Sequence, residues 1–140
     1  MEHRWKVASI TELETVAKAF LALFPTPTCF AFDGEMGAGK TTFITELLKQ
    51  LGLEEIEGSP TYSIINEYET NGVKIYHLDC YRIESPNEIR NLGLDELLEE
   101  KAYFFIEWAE KINFILPDNV IWVYIRCDET NNSREIAFQL

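Results

Sequence analysis

The chain of 140 residues has little of several features that identify other classes of protein. No run approaches the roughly 20 apolar residues of a membrane-spanning helix, and residues 1–14 lack the apolar stretch and cleavage site of a signal peptide. Cysteine is also scarce, since Cys29, Cys80 and Cys127 lie far apart, without the close pairs of zinc or redox sites. We therefore predict a cytoplasmic protein without a membrane segment, whose three cysteines are reduced thiols in or near the core.

Basic residues are also few: the chain has 12 Lys and Arg against 24 Asp and Glu, which gives a net charge of −12. A surface this negative repels the phosphates of nucleic acids, so tight binding to DNA or RNA by the chain alone is not expected. The acidic surface can serve only to keep the protein soluble, or it can bind a partner protein with a basic face; the charge does not distinguish the two. Because the sequence also lacks internal repeats, low-complexity tracts and linkers, residues 1–140 are predicted to form a single domain.

Strands and helices are predicted to alternate along the chain. Ser9 and Glu12 have the spacing of a capping box before a helical apolar pattern, so the first helix begins there. Asn71-Gly72 is a strong hairpin-turn signal between two strands. Ser85 precedes Pro86 as the cap of a later helix. The strands are predicted over residues 29–32, 62–69, 73–80, 103–107, 120–126 and 134–139, and a second helix over 39–51.

The most informative segment is a glycine-rich turn between a predicted strand and a predicted helix. It fits the pattern G-x-x-x-x-G-K-[ST], in which backbone N–H groups and the helix N-terminus bind phosphate oxygens. The lysine of such a loop reaches the β- and γ-phosphates, and the hydroxyl binds Mg²⁺. The predicted phosphate-binding residues are Gly34, Glu35, Met36, Gly37, Ala38, Gly39, Lys40, Thr41 and Thr42.

This loop, in an alternation of strands and helices, predicts an α/β fold of the P-loop NTPase-like three-layer sandwich type. The sheet is expected to be partly parallel, with the hairpin and the C-terminal strands as antiparallel additions. The Asn/Thr-Lys-x-Asp signature of guanine recognition does not follow the loop. ATP, together with Mg²⁺, is therefore the default ligand.

Two acidic residues end predicted buried strands, where a P-loop protein places a metal-associated carboxylate. Asp79 and Glu107 are the candidates, one to orient the metal and the other to position or deprotonate the attacking water. Thr61 follows a short acidic loop and is either a switch residue or part of an ordinary turn. Trp108 is either a lid over the site or an aromatic at the edge of the core. His77 can face the site, but a strand histidine satisfied by a neighbour is the commoner case.

Four segments together resemble the TsaE (YjeE) family of bacteria in their order and spacing. The P-loop alone is shared by many proteins, whereas the combination of the other three segments is specific. The segments are G-E-M-G-A-G-K-T-T (34–42), S-P-T-Y (59–62), H-L-D-C-Y-R (77–82) and I-E-W (106–108). Met36, Cys80 and Ala109 depart from the usual family residues, but none of these changes removes a chemical group that the mechanism needs.

The resemblance implies a P-loop ATPase that supports formation of threonylcarbamoyladenosine in tRNA. It implies TsaB and TsaD as partner proteins, contact with tRNA only through their complex, and slow hydrolysis by the chain alone. By position, Lys40 and Thr41 match the phosphate and Mg²⁺ residues, and Glu107 matches the second magnesium-associated acid. Asp79 matches an acid that is catalytic or metal-linked, and Thr61 matches the switch threonine.

Three further residues are implied by the same resemblance. Trp108 matches an aromatic near the nucleotide or the partner surface, and Thr11 and Arg134 are the nearest matches to residues that hold the base. From the residues alone, two other functions stay open: a small-molecule kinase, and an interaction module that binds nucleotide without turnover.

Overall fold

The computed structural model describes residues 1–35, 37–58, 60, 64–128 and 130–140. Within them, seven strands form one mixed sheet in the order β1-β7-β6-β2-β5-β4-β3. The strands are β1 (Glu2–Val7), β2 (Cys29–Asp33), β3 (Ile65–Thr70), β4 (Val73–Asp79), β5 (Ala102–Glu107), β6 (Ile121–Asp128) and β7 (Ser133–Gln139). The helices are α1 (Ile10–Ala22), α2 (Lys40–Gln50), α3 (Pro86–Leu92), α4 (Leu94–Leu97) and a 3₁₀ helix (Ala109–Ile115).

The centre of the sheet is parallel and its two sides are antiparallel. Strand β2 pairs in parallel with β5 and with β6, and β4 pairs in parallel with β5. On the two sides, β3 pairs antiparallel with β4, β7 with β6, and β1 with β7. Because the carboxyl ends of parallel strands meet at one edge, residues that follow β2, β4 and β5 are brought together there.

Two apolar clusters cover the two faces of the sheet. On one face, α1 and α2 pack through a group of phenylalanines, in which the ring centroid of Phe20 lies 5.0 Å from that of Phe30 and 5.5 Å from that of Phe43. On the other face, α3, α4 and the 3₁₀ helix pack through Ile89, Leu94 and other buried residues. The three-layer, partly parallel α/β fold predicted from the sequence is therefore confirmed.

Local sequence rules account for several element boundaries. The Ser9 side chain accepts a hydrogen bond from the Glu12 N–H at 3.2 Å, and Glu12 Oε2 accepts one from the Ala8 N–H at 2.6 Å, so α1 begins as predicted. Asn71 (φ 51°) and Gly72 (φ 78°) both have the positive φ that a type I′ hairpin turn requires.

The structure differs from the sequence predictions at four places. Strand β1 was not predicted, and it forms because its apolar and aromatic residues pack against β7, with Trp5 opposite Ile136. Strand β3 begins at Ile65, three residues after the predicted start, and residues 62 and 63 lie outside the described chain. Ser85 occupies the cap position of α3, but its side chain makes no cap hydrogen bond. The 3₁₀ helix after β5 also had no sequence signal.

Cysteine placement partly corrects the sequence prediction. All three cysteines are free, and Cys29 and Cys80 are buried as expected. Cys127, in contrast, is exposed near the end of β6, where Arg134 Nη1 lies 2.9 Å from its sulfur. No helix in the described part of the chain combines the length and the apolar character needed to cross a membrane.

Candidate functional site

The glycine-rich turn lies between the end of β2 and the start of α2, as predicted. Gly37 (φ 83°) and Gly39 (φ 103°) adopt left-handed backbone conformations, which let the loop curl over the first turn of α2. The first N–H groups of a helix have no partner within the helix and carry the positive end of its dipole. This end of α2 is therefore suited to bind an anion, and glycines allow the close approach.

Lys40 lies at the centre of the site and is only 6% exposed. Its ammonium Nζ donates to the carbonyl oxygen of Gly34 at 2.6 Å and lies 3.8 Å from the ring centroid of Trp108. Burial lowers the pKa of Lys40 from its ordinary value, and the nearby carboxylate of Glu107 acts in the opposite direction. A bound anion next to the ammonium would stabilise its charged form and so offset the cost of burial.

Thr41, Glu107 and His77 form a chain of hydrogen bonds across three elements. The Thr41 hydroxyl donates to Glu107 Oε1 at 2.8 Å, and His77 Nε2 lies 2.7 Å from Glu107 Oε2. Glu107 and His77 are both buried. His77 Nδ1 has no hydrogen-bond partner in the described part of the molecule.

Asp79 lies beside Glu107, because the two acids are paired in the parallel register of β4 and β5. Its Oδ1 accepts a hydrogen bond from the backbone N–H of Tyr81 at 3.0 Å. The Tyr81 ring in turn lies 5.0 Å from that of Trp108. Two strand-end acids and two aromatic rings therefore stand next to the phosphate loop.

These groups line a cavity of about 380 Å³ that we call the phosphate cavity. A second cavity of about 210 Å³, which we call the apolar cavity, lies between the start of α1, β7 and the phosphate loop. Gly39, Thr42 and Arg134 line both cavities. The phosphate cavity is lined by Gly37, Gly39, Lys40, Thr41, Thr42, Asp79, Tyr81, Glu107, Trp108 and Arg134.

Most of the site residues predicted from the sequence come together here, although their roles stay predictions. Ala38 lines the apolar cavity, and the carbonyl of the exposed Glu35 accepts the Ala38 N–H at 3.0 Å. Thr11 lies on the exposed first turn of α1 and is not among the described residues that line either cavity. Met36 and Thr61 lie outside the described residues, so the switch role of Thr61 stays a prediction.

The sequence did not assign two of the residues at this site. Tyr81 lines the phosphate cavity, and its place in the segment H-L-D-C-Y-R (77–82), two residues after Asp79, was the available signal. His77 contacts a neighbour through Nε2, as expected for a strand histidine, and that neighbour is the strand-end acid Glu107. Strand alternation, which places His77 on the same face as Asp79, was the signal for this contact.

Comparison with known proteins agrees with this geometry. The family model for the threonylcarbamoyl adenosine biosynthesis protein TsaE matches residues 7–136. The tRNA threonylcarbamoyladenosine biosynthesis protein TsaE of Bacillus subtilis is 34% identical over 135 residues, which cover 96% of this chain and 84% of the relative. The protein of the same name from Rickettsia bellii is 38% identical over 116 residues, covering 82% of this chain and 80% of the relative.

A solved structure supports the same assignment. The crystal structure of Bacillus subtilis YdiB superposes with a TM-score of 0.79 at 30% sequence identity, covering 99% of this chain and 84% of that one. Fold, phosphate loop and sequence similarity thus agree over nearly the whole chain. The chain belongs to the TsaE family, a family of nucleotide-binding proteins in tRNA threonylcarbamoyladenosine biosynthesis.

Proposed function

We propose that this protein binds ATP and Mg²⁺ in the two adjoining cavities and hydrolyses ATP to support formation of the threonylcarbamoyl group on adenosine in tRNA. The observation that carries the proposal is that Lys40, Thr41, Glu107 and Asp79 line one cavity beneath the phosphate loop. A cation, a hydroxyl and two carboxylates are the groups that a nucleoside triphosphate and its metal require.

The residues of the phosphate cavity fit a magnesium nucleotide. Mg²⁺ prefers oxygen ligands and is usually held by one or two protein groups together with substrate phosphates and water. Thr41 and Glu107, already joined by a hydrogen bond, and Asp79 beside them are the groups that would hold it. When bound, the ion neutralises negative charge on the β- and γ-phosphates.

The two acids differ in burial, and this difference suggests separate roles. Glu107 is 3% exposed and accepts the Thr41 hydroxyl, whereas Asp79 is only half-buried and borders the cavity. We assign Glu107 to the metal side of the site. Asp79 would orient the attacking water and accept its proton, as a carboxylate general base does.

The apolar cavity is the proposed site of the base. Its lining includes Ile10, which is 72% exposed despite being apolar, together with Leu13 and Ile136. A flat base in contact with these side chains would remove apolar surface from water. Arg134 lies between the two cavities, where its guanidinium can contact both the base and the phosphates. ATP is proposed over GTP because the sequence lacks the guanine-recognition signature.

We further propose that TsaB and TsaD are the partner proteins and that hydrolysis is slow without them, in the cytoplasm. The net charge of −12 disfavours direct binding to RNA, so tRNA would be contacted only through the complex. This part of the proposal extends the family assignment and is tested separately from nucleotide binding.

The test is Mg²⁺-dependent phosphate release, with and without TsaB and TsaD, for wild type and Lys40→Ala. Loss of the buried ammonium should abolish turnover and weaken ATP binding by about 10- to 150-fold, the equivalent of roughly 1.5–3 kcal/mol for hydrogen bonds to charged groups. Lys49→Ala is the matched control, since its ammonium is exposed near the other end of the same helix. Turnover that persists unchanged in Lys40→Ala would refute the proposed site.

Two outcomes would redirect the proposal. Phosphate transfer from labelled ATP to a metabolite instead of water would indicate a kinase. Absence of phosphate release with all partners present, while ATP still changes partner binding, would indicate a nucleotide-gated interaction module.

A further inference from the structure

We propose that His77 is a positioning residue that orients the Glu107 carboxylate toward Thr41 and the phosphate loop. The proposal rests on the proposed function of the same site and adds to it a residue that does not line the phosphate cavity. It concerns how the acid is held, and not which ligand the site binds.

The geometry places the two oxygens of Glu107 in different environments. Oε1 accepts the Thr41 hydroxyl at 2.8 Å, on the side of the phosphate loop, and Oε2 lies 2.7 Å from His77 Nε2, on the side of the sheet interior. His77 is fully buried within β4, two residues before Asp79, which is paired with Glu107. The carboxylate is therefore held from two sides by side chains of α2 and β4.

The hydrogen-bond partners of the two ring nitrogens indicate where His77 carries its proton. A buried carboxylate needs hydrogen-bond donors, so the short contact requires a proton on Nε2. Nδ1 has no partner in the described part of the chain, so a proton there would leave a buried donor unpaired. A proton on Nε2 instead directs an N–H of the imidazole at the Glu107 carboxylate.

This contact restricts a flexible side chain. A glutamate has three rotatable side-chain bonds, and a hydrogen bond to Oε2 fixes the direction in which Oε1 faces. Thr41 and the metal side of the site depend on that direction. Loss of such an outer hydrogen bond typically lowers metal affinity or activity by about 10- to 100-fold.

The experiment compares His77→Phe with His77→Gln. Phenylalanine keeps a ring in the space but removes the donor, whereas glutamine places an amide N–H near the position of Nε2. Binding of a non-hydrolysable ATP analogue is measured by calorimetry at several Mg²⁺ concentrations and in EDTA, and kcat is measured alongside. His77→Phe should lower apparent Mg²⁺ affinity and kcat about 10- to 100-fold, with metal-free nucleotide binding near wild type, and His77→Gln should restore most of both.

A matched control separates positioning from simple core packing. Ile75 is also fully buried, on the same face of the same strand, and belongs to the apolar core on that face. Ile75→Ala should lower the thermal midpoint and leave the Mg²⁺ dependence unchanged. A merely structural His77 would give the same result as Ile75→Ala, and that outcome would overturn the proposal.

Three further outcomes are decisive. If His77→Phe does not fold, His77→Asn replaces it, because the asparagine amide is too short to reach Glu107. Equal Mg²⁺ dependence of the His77→Asn and His77→Gln variants would then overturn the positioning role. If His77→Phe keeps wild-type Mg²⁺ dependence while Lys40→Ala is inactive, the positioning role fails and the proposed function stands. Turnover that survives in Lys40→Ala instead refutes the proposed function itself.

Discussion

Replacing Gly34 with alanine tests how closely the phosphate loop lies against the sheet. A Cβ built at Gly34 would lie 2.7 Å from the carbonyl oxygen of Ile125 in β6, and 3.5 Å from Cγ of Lys40. That oxygen would be about 0.6 Å nearer than the roughly 3.3 Å at which carbon and backbone oxygen atoms normally meet. The Ile125 oxygen belongs to the backbone of a strand inside the sheet and cannot move aside as a side chain could. The phosphate loop has to shift instead.

The expected cost follows from this displacement. Overpacking of a well-packed site costs about 1–3 kcal/mol, which for a chain of this size lowers the thermal midpoint by about 3–10 °C. The Gly34 carbonyl also holds the Lys40 ammonium, so a shifted loop misplaces Lys40. We expect ATP affinity to fall by about tenfold or more, an amount equivalent to about 1.4 kcal/mol. Circular dichroism and calorimetric titration with magnesium ATP measure the two effects.

Gly72→Ala is the matched control for backbone conformation. Gly72 has a φ of 78° in the β3–β4 hairpin turn, and nothing lies within 4 Å of a Cβ built there. Its substitution should cost about 1–2 kcal/mol through the left-handed backbone alone, with ATP affinity unchanged. A Gly34→Ala protein with the wild-type midpoint and affinity would refute the reasoning about close approach.

Two other predictions concern burial and helix capping. Burial raises the pKa of Cys29 and of Cys80 to about 12, so at pH 8 only about one in 10⁴ of these buried thiols is ionised. Iodoacetamide should therefore label Cys127 alone in the folded protein and all three cysteines after denaturation. Mass spectrometry counts the labels. Ser9→Ala should lower the free energy of unfolding in urea by about 1 kcal/mol because it removes a cap hydrogen bond, whereas Ser85→Ala should have almost no effect because the Ser85 side chain makes none. Rapid labelling of Cys29 in native protein, or equal costs for the two serines, would contradict these expectations.

Features governed by neighbouring residues were predictable from the sequence. The capping box at Ser9, the Asn71-Gly72 turn and the phosphate loop each depend on a few consecutive residues with specific backbone requirements. Elements without such a local signal were missed. Strand β1 has charged residues at every second position, and it forms a strand because it pairs antiparallel with the edge of β7. Cys127 lies in an apolar run, but its exposure depends on where β6 leaves the core.

The sequence alone therefore determined the fold class, the family resemblance and the chemical groups of the phosphate loop, because these lie in short contiguous segments. Only the tertiary structure decided how distant residues combine. The parallel register of β4 and β5 sets Asp79 beside Glu107 and brings His77 to the far side of the same carboxylate. Whether a strand histidine contacts a carboxylate on a neighbouring strand depends on strand order and register, which arise from packing across the whole sheet. For that reason the contact between His77 and Glu107 had to be read from the folded chain.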